Sequence, residues 1–248
     1  MIDDSTVSDA GARSSIRLQS TPIVFVVDDD FSVRECLESL IRLEGWQPVT
    51  FGSAEEFLAH PSVSVPSCLV LDVSLPGLSG LDLQRRIALK RHDLPIIFIT
   101  GHGDVPTTVR AMKAGAREFL TKPFKDGVLL TAIRAALKRS RVALSQEVEM
   151  EALRNCYASL SGRERQVMSL VISGLSNRQV GDELGITETT VKAHRGRVME
   201  KMKADSIADL VKMAGKFPSL DRPSGKNHRA HRFSIPKASN KRLASHSG

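Results

Sequence analysis

Residues 23–35 read IVFVVDDDFSVRE. Five apolar residues run without a break, end in three aspartates and are followed by a helical pattern. A short apolar run bounded by turn residues is typical of a strand buried on both faces of a parallel sheet. The same pattern recurs at 67–71 (SCLVL) and 95–99 (PIIFI), so we interpret all three as strands of one sheet.

Helical patterns lie between these strands. Two of them begin at capping-box signatures, Ser32-x-x-Glu35 and Ser53-x-x-Glu56. Three others repeat apolar residues at helical spacing, over 80–90, 105–114 and 125–139. Weaker strand patterns near 47–51 and 117–120 complete five βα units. The alternation predicts an α/β fold with a doubly wound five-stranded parallel sheet of the flavodoxin-like type.

The chain after residue 140 contains helical patterns and no strand patterns. Apolar spacing predicts a helical linker over 141–158. Four helix starts follow, at Ser161-x-x-Glu164, Ser176-x-x-Gln179, Thr187 and Ser206. We therefore expect a small all-α domain of four short helices behind the sheet domain.

Composition excludes several classes of protein. The chain has 248 residues, of which 41% are hydrophobic and 25% charged, which are ordinary globular values. It has no run of roughly 18 apolar residues and no apolar segment near its start, so we expect a soluble cytoplasmic protein without a membrane partner. The three cysteines lack metal-ligand spacing and are expected to be reduced.

Polar residues follow four of the predicted strands. Asp28, Asp29 and Asp30 follow the first strand, Asp72 the third and Thr100 the fourth. Lys122 follows the fifth. Carboxylates crowded at one sheet edge repel each other, and oxygen ligands in an open site favour Mg²⁺. One carboxylate can then act as a nucleophile toward a phosphoryl group, while lysine and threonine pair with its oxygens.

The combined motifs VVDDD, LVLDVSLPGLSGLDL and IIFITGHGDVPTTVRAMKAGAREFLTKPF resemble the receiver domain of two-component response regulators of the FixJ type over residues 23 to about 138. The resemblance implies that Asp72 is the phosphoacceptor. It further implies an acidic Mg²⁺ pair, Asp28 and Asp29, helped by the backbone carbonyl of Ser74. The implied phosphate-sensing residues are Thr100, Phe119 and Lys122, with a cis bond at Lys122-Pro123.

The triplet of aspartates leaves two assignments open. The family also has an acidic residue at the position of Asp30, so three carboxylates compete for two roles. We expect Asp29 to be the direct ligand and Asp28 to act through water. The same triplet approximates the start of haloacid-dehalogenase-type phosphatases, in which Asp28 would be the nucleophile. That enzyme needs a second acidic pair after Lys122, where only Asp126 stands.

Residues 160–214 resemble the LuxR-type helix-turn-helix domain, which implies binding to double-stranded promoter DNA. Its third helix presents polar and basic side chains on an outward face, and residues of this kind contact base edges and phosphates. The second helix starts with Asn177. The expected DNA-binding residues are Asn177, Thr189, Thr190, Lys192, His194, Arg195, Arg197 and Lys201.

These inferences predict five segments. They are a disordered N-terminus (1–20), a receiver domain (21–139), a helical linker (140–159), a helix-turn-helix domain (160–217) and a disordered basic tail (218–248). The resemblance implies a regulator that is phosphorylated by a sensor histidine kinase, forms a homodimer and regulates transcription, with RNA polymerase as a further partner. Its only chemistry is self-catalysed phosphoryl transfer. The alternative is constitutive DNA binding with the receiver as a dimerisation domain.

The basic tail generates the first testable prediction. Residues 218–248 hold seven Lys/Arg and one Asp, which is six of the net seven positive charges of the chain. Each phosphate that a protein neutralises contributes about 0.9 to the slope of log K against log salt. A truncation ending at Phe217 should therefore bind DNA more weakly at low salt, with a slope shallower by roughly two to four and an unchanged footprint. Equal slopes would show a tail without a role in DNA binding.

Overall fold

The structure is a computed structural model that describes residues 20–90, 94–101 and 105–217. These residues divide into two compact units, one up to Asn155 and one from Cys156 onward. The predicted disordered N-terminus, apart from Ser20, and the predicted basic tail 218–248 lie outside the described residues. Within those residues, no helix combines the length and the apolar character needed to cross a membrane.

The first unit contains five strands, each followed by a helix. In chain order its elements are β1 (Ile23–Val27), α1 (Phe31–Leu43), β2 (Gln47–Phe51), α2 (Ala54–Ala59), β3 (Ser67–Asp72), α3 (Gly80–Lys90), β4 (Ile96–Thr100), α4 (Val105–Lys113), β5 (Glu118–Thr121) and α5 (Asp126–Ala158). All neighbouring strands are parallel, in the order β2-β1-β3-β4-β5. The predicted doubly wound sheet is confirmed.

Alternation along the strands divides the core between the two faces of the sheet. On β1, Val24 and Val26 pack with buried residues of α1 and α5. Phe25 and Val27 point to the opposite face, where they pack with buried residues of α2, α3 and α4. Because β3 is buried along its whole length, helices cover both faces at the centre of the sheet.

Helix capping differs from the prediction at α1. Asp30, and not Ser32, is the N-cap residue, and its Oδ1 accepts hydrogen bonds from the backbone of Ser32 at 2.8 Å and Val33 at 3.4 Å. The capping box at Ser32 is therefore wrong, because the helix starts closer to the strand than expected. At α2 the predicted cap is confirmed, since Ser53 Oγ accepts a bond from the Glu56 amide.

The last helix of the sheet unit is longer than expected. Helix α5 has 33 residues and continues without a break through the predicted boundary between residues 139 and 140. Ser140 is buried within it, and its Oγ accepts a hydrogen bond of 3.0 Å from the backbone N–H of Ser67. The helix is thus attached to the first residue of β3, the strand that ends in Asp72.

The second unit is helical throughout its described residues after α5. Its helices are α6 (Gly162–Ile172), α7 (Asn177–Leu184), α8 (Glu188–Met202) and α9 (Ile207–Gly215). Their four predicted N-caps are confirmed, namely Ser161, Ser176, Thr187 and Ser206, and the first two form complete capping boxes. The core joins α6, α7 and α8 through Val167, Val171, Val180 and Val191.

Close packing of α7 against the start of α8 depends on Gly181. A Cβ atom at this position would lie 2.7 Å from the carbonyl oxygen of Ile186, a backbone atom that cannot turn aside. The Ile186 N–H also bonds to the Gly181 carbonyl at 3.0 Å. A side chain at residue 181 would therefore separate the two helices.

The bond between Ser140 and Ser67 can be tested by substitution. We expect Ser140→Ala to lower the free energy of unfolding by about 1–3 kcal/mol, because the buried Ser67 N–H loses its acceptor. Urea unfolding followed by the fluorescence of Trp46, the single tryptophan, measures this change. Ser145→Ala, an exposed change on the same helix, should stay within about 0.5 kcal/mol of the parent. Equal midpoints for both variants would contradict the prediction.

Candidate functional site

The carboxyl ends of the strands bring the predicted acidic residues together. Asp28 directly follows β1, and Asp72 is the last residue of β3. Carboxylate oxygens of Asp28, Asp29 and Asp72 all lie within 4.8 Å of one another. Asp28 and Asp72 are buried and Asp29 is exposed, so the cluster opens to solvent on one side.

Lys122 joins the two buried carboxylates. Its Nζ lies 2.6 Å from Asp28 Oδ2 and 3.0 Å from Asp72 Oδ2. The neighbouring strand β4 helps to position this lysine, because the Lys122 N–H donates to the Thr100 carbonyl at 2.7 Å. One ammonium group therefore balances two carboxylates that are far apart in the sequence.

The pKa values of Asp28 and Lys122 are both shifted upward, for different reasons. Burial raises the pKa of Asp28, and the hydrogen bonds from Lys122 and the Asp30 amide offset this effect only in part. Burial by itself would lower the pKa of Lys122, but its bonds to Asp28 and Asp72 outweigh burial and raise that pKa. Lys122 is therefore held in its charged form.

The loop after β1 is fixed by contacts that the sequence did not reveal. Arg34 Nη1 donates a 2.6 Å hydrogen bond to the backbone carbonyl of Asp28. The Asp30 N–H donates to Asp28 Oδ1 at 3.0 Å, while the side chain of Asp30 caps α1. Because its carboxylate is used in capping, Asp30 does not join the cluster formed by Asp28, Asp29 and Asp72.

Backbone contacts also hold Asp72. The N–H of Ser74 donates to Asp72 Oδ1 at 3.0 Å. Gly80, the first residue of α3, approaches so closely that a Cβ atom there would lie 2.2 Å from the Asp72 carbonyl oxygen. The start of α3 is therefore in direct contact with the backbone of Asp72.

The three predicted phosphate-sensing residues lie at neighbouring strand ends. Thr100 ends β4 and is fully buried, whereas Phe119 of β5 is half-buried with its ring centroid 6.1 Å from that of Phe98. Lys122 follows β5, and its peptide bond to Pro123 is cis, as the resemblance implied. All three are near Asp72 in the sheet order, since β4 pairs with β3 and with β5.

The donor set fits a hard divalent cation. Three carboxylates supply only oxygen ligands, and Mg²⁺ prefers oxygen ligands with room for water. Burial raises the pKa of Asp28, and a bound cation would favour its ionised form. Asp28, Asp29 and Asp72 are therefore the residues that could hold Mg²⁺.

Helix α8 presents only part of the predicted DNA-binding set to solvent. Thr189, Thr190, Lys192 and Arg197 are exposed. The other predicted residues are half-buried, namely Asn177, His194, Arg195 and Lys201. The expectation that all predicted DNA-binding residues of α8 lie on one outward face was wrong, because α8 packs on both α6 and α7 and only part of its surface is exposed.

Two of these half-buried residues contact each other. Arg195 Nη1 donates to Asn177 Oδ1 at 3.1 Å, which connects the middle of α8 to the first residue of α7. His194 Nδ1 is buried and has no hydrogen-bond partner among the described residues. The hydrogen bond to Asn177 therefore restrains the side chain of Arg195.

Lys201 is engaged inside the helical unit. Its Nζ lies 2.8 Å from Glu164 Oε2 and 3.2 Å from the carbonyl of Ser159. Glu164 is nearly fully buried, and the same oxygen accepts the N–H of Ser161 at 2.7 Å. In this structure Lys201 therefore makes an internal ion pair, and its contact with DNA stays a prediction. The capping box identified Glu164, but nothing in the spacing showed its burial or its partner.

Family models match both units. Residues 24–134 match the response regulator receiver domain, and residues 158–214 match the bacterial regulatory proteins of the luxR family. Together the two matches cover most of the described chain.

Similar proteins extend over both units. Nodulation protein W of Bradyrhizobium diazoefficiens is 54% identical over 192 residues, which cover 77% of this chain and 85% of that protein. The transcriptional regulatory protein FixJ of the same organism is 41% identical over 77% of this chain and 93% of its own length. The low-resolution structure of the response regulator StyR is 47% identical, with a TM-score of 0.74, and covers 80% of this chain and 100% of that one.

The buried ion pair in the helical unit predicts a pH dependence. The hydrogen bond from Lys201 and that from the Ser161 amide lower the pKa of Glu164 from 4.5 to about 2. A carboxyl whose folded pKa is lowered stabilises the fold above its unfolded pKa, and this contribution disappears as the pH falls toward the folded value. Glu164→Gln should therefore destabilise the helical unit most at pH 7 and progressively less from pH 4.5 to pH 2.

Urea unfolding at several pH values, followed by circular dichroism at 222 nm, measures this difference. Glu188→Gln is the matched control, since Glu188 pairs with Lys192 at 3.2 Å in an exposed position where an ion pair contributes little. A constant difference between parent and Glu164→Gln from pH 7 to pH 2 would contradict the assignment. Trp46 fluorescence follows the sheet unit separately in the same samples.

Proposed function

The chain belongs to the two-component response regulators that combine a receiver domain with a LuxR-type DNA-binding domain, and we propose that Asp72 accepts a phosphoryl group from a sensor histidine kinase. The observation that supports Asp72 most strongly is its position. It is buried at the end of the central strand, beside Asp28 and within 3.0 Å of the Lys122 ammonium. The phosphatase alternative loses its basis, because residues 24–134 match the receiver domain and the acidic pair that it needs after Lys122 is represented only by Asp126, the first residue of α5.

The residues around Asp72 suit phosphoryl transfer. An Asp72 oxygen attacks phosphorus, a bond forms between them, and the bond from phosphorus to the donor breaks. Lys122 pairs with the phosphoryl oxygens as negative charge arrives, and the Thr100 hydroxyl contributes a further hydrogen bond. The receiver catalyses this transfer to its own aspartate, and the reaction serves as a signalling step in a transcription regulator.

Mg²⁺ is the cofactor that we assign to this reaction. Asp28, Asp29 and Asp72 would hold it, with the backbone carbonyl of Ser74 as a further ligand. The ion neutralises charge on the transferred group. Within this set we expect Asp29 to be the direct ligand and Asp28 to act through water, since Asp29 is exposed and Asp28 is already bonded to Lys122.

Phosphorylation is proposed to act through α4, β5 and α5. The phosphoryl group draws Thr100 and Lys122 toward it, and the half-buried ring of Phe119 turns inward. Helix α4 carries exposed Val105, Val109 and Met112. This apolar face is the surface that we assign to a homodimer, since apolar patches of this kind mark contacts between proteins.

The helical unit is proposed to bind promoter DNA through α8. Lys192, Thr189 and Thr190 are exposed at its N-terminal half and suit base contacts, whereas Arg197 suits phosphate. Arg195 of α8 donates a hydrogen bond to Asn177, the first residue of α7, and this contact orients both side chains. The unit carries little excess charge, so a dimer supplies the second set of contacts. RNA polymerase is a further partner of such regulators.

Constitutive DNA binding, with the receiver only as a dimerisation domain, is the second candidate. Its support is the apolar face of α4, whose exposed residues Val105, Val109 and Met112 suit a contact between two receivers. Footprinting with and without acetyl phosphate and Mg²⁺ separates the two. Equal protection in both conditions would favour constitutive binding.

Substitution of the phosphoacceptor tests the first step. We expect Asp72→Asn to abolish labelling by acetyl phosphate, because an amide cannot form the acyl phosphate. Asp30→Asn is the matched control and should keep most labelling, since Asp30 caps α1 and lies outside the carboxylate cluster. Phosphate-affinity gels measure the modified fraction. A base-labile phosphoprotein formed by Asp72→Asn would refute the assignment.

Substitutions on α8 test DNA recognition. Lys192→Ala should weaken binding to a sequence selected from a random pool by about 1–3 kcal/mol and affect unrelated DNA less. Arg197→Ala should weaken both to a similar degree. Lys212→Ala, on α9, is the control for simple loss of charge. Gel-shift titrations give the affinities. Equal losses on both DNAs for Lys192→Ala would show that it does not contact bases.

A further inference from the structure

A buried amide connects the two helices that follow β3 and β4. Gln84 of α3 is 2% exposed, and its Nε2 donates a hydrogen bond of 3.1 Å to the backbone carbonyl of Ala111 in α4. Its Oε1 is buried and has no hydrogen-bond partner among the described residues. Half of the amide is therefore satisfied and half is not.

This arrangement is costly compared with an apolar side chain. The neighbours of Gln84 on α3 are Leu83 and Ile87, which belong to the apolar core of this face. An amide oxygen that is buried without a donor loses its bonds to water and gains nothing in return. A leucine or methionine would fill the same position without that cost, so the amide is explained by what its N–H does.

The N–H bonds to the one buried residue of a short helix. Helix α4 has nine residues, and over Val105–Lys113, all described, only Ala111 is buried. Helices this short are marginal unless tertiary contacts hold them. The Ala111 carbonyl accepts both Gln84 Nε2 and the Ala116 N–H, so the bond holds the last turn of α4.

The other end of the connection is attached to the phosphorylation site. Gln84 lies one turn after Gly80, whose backbone contacts the carbonyl of Asp72. The Gly80 N–H also donates to the carbonyl of Val73 at 3.1 Å, so the start of α3 is bonded to the residue after Asp72. Helix α4, by contrast, starts five residues after Thr100, and its apolar residues face solvent. Gln84 therefore connects a helix that packs closely on the backbone of Asp72 to a short helix with one buried residue.

We propose that Gln84 is a latch that holds α4 in the position seen here, and that activation releases its hydrogen bond to Ala111. That Gln84 holds α4 does not depend on the proposed function. That activation releases the bond rests on the proposed phosphorylation of Asp72. Gln84 is a positioning residue, since it does not contact the reacting atoms. The unpaired Oε1 makes the latched state less favourable, so a modest change at Asp72 suffices to open it.

Hydrogen exchange with mass spectrometry tests the latch on the full chain without any phosphoryl donor. In Gln84→Met, the amides of residues 105–113 should exchange about fivefold faster, the factor for loss of one neutral hydrogen bond, while α3 and β3 stay unchanged. The melting temperature should equal or exceed that of the parent, because the unpaired oxygen is gone. Arg86→Met, an exposed change on α3, should leave α4 unchanged.

Unchanged exchange of α4 in a folded Gln84→Met protein overturns the proposal. Gln84→Leu replaces Gln84→Met in this test if the methionine variant does not fold.

Beryllofluoride with Mg²⁺ tests the second part of the proposal, that activation releases the bond between Gln84 and Ala111. It should raise α4 exchange in the parent toward the level of Gln84→Met and add little in the variant. If beryllofluoride raises α4 exchange by the same factor in the parent and in Gln84→Met, activation does not act through this bond.

The proposed function is followed separately in the same samples. Acetyl phosphate should label the parent and Gln84→Met alike. If neither is labelled, phosphorylation at Asp72 fails, while the comparison of α4 exchange without a donor still decides whether the latch exists.

Discussion

The ammonium group of Lys122, held between Asp28 and Asp72, is the interaction on which the rest of the receiver depends. Two buried carboxylates from different strands cannot lie this close without a cation, because Coulomb repulsion is strong where water is excluded. Lys122 reaches them only because β1, β3 and β5 end at the same edge of a parallel sheet. The apolar strands, the helices on both faces and the loops after each strand all serve to keep these three charges together.

The same interaction explains how a local reaction can have distant effects. A phosphoryl group on Asp72 would change the charge that Lys122 balances, so the contacts of Lys122 and its strand must change as well. The neighbouring helices differ in how firmly they are held. Gly80 packs the start of α3 closely on the backbone of Asp72, whereas α4 has a single buried residue, Ala111, whose carbonyl accepts the Gln84 hydrogen bond. Rearrangement is therefore expected in α4 before α3.

Sequence patterns predicted the parts of this structure that depend on local chemistry. Apolar runs identified the strands, and hydroxyl residues identified the helix caps at Ser53, Ser161 and Ser176. They failed where a contact joins residues distant in the chain. The ion pair of Glu164 and Lys201 and the bond of Ser140 to Ser67 span 37 and 73 residues, and no spacing rule reveals such partners. The N-cap of α1 was wrongly expected at Ser32 for a different reason, since three adjacent carboxylates are equivalent until the loop geometry selects Asp30 as the cap.

The measurement that tests the central role of Lys122 most directly is Mg²⁺ binding by isothermal titration calorimetry, with the parent chain and Lys122→Met compared at pH 7. The ammonium occupies the Oδ2 atoms of Asp28 and Asp72, which are oxygens of the candidate Mg²⁺ site. Removing it leaves the repulsion between the carboxylates to be balanced by the metal alone. The account predicts tighter Mg²⁺ binding by Lys122→Met and a larger rise of its melting temperature on adding Mg²⁺. Equal or weaker binding by a folded Lys122→Met protein would contradict it.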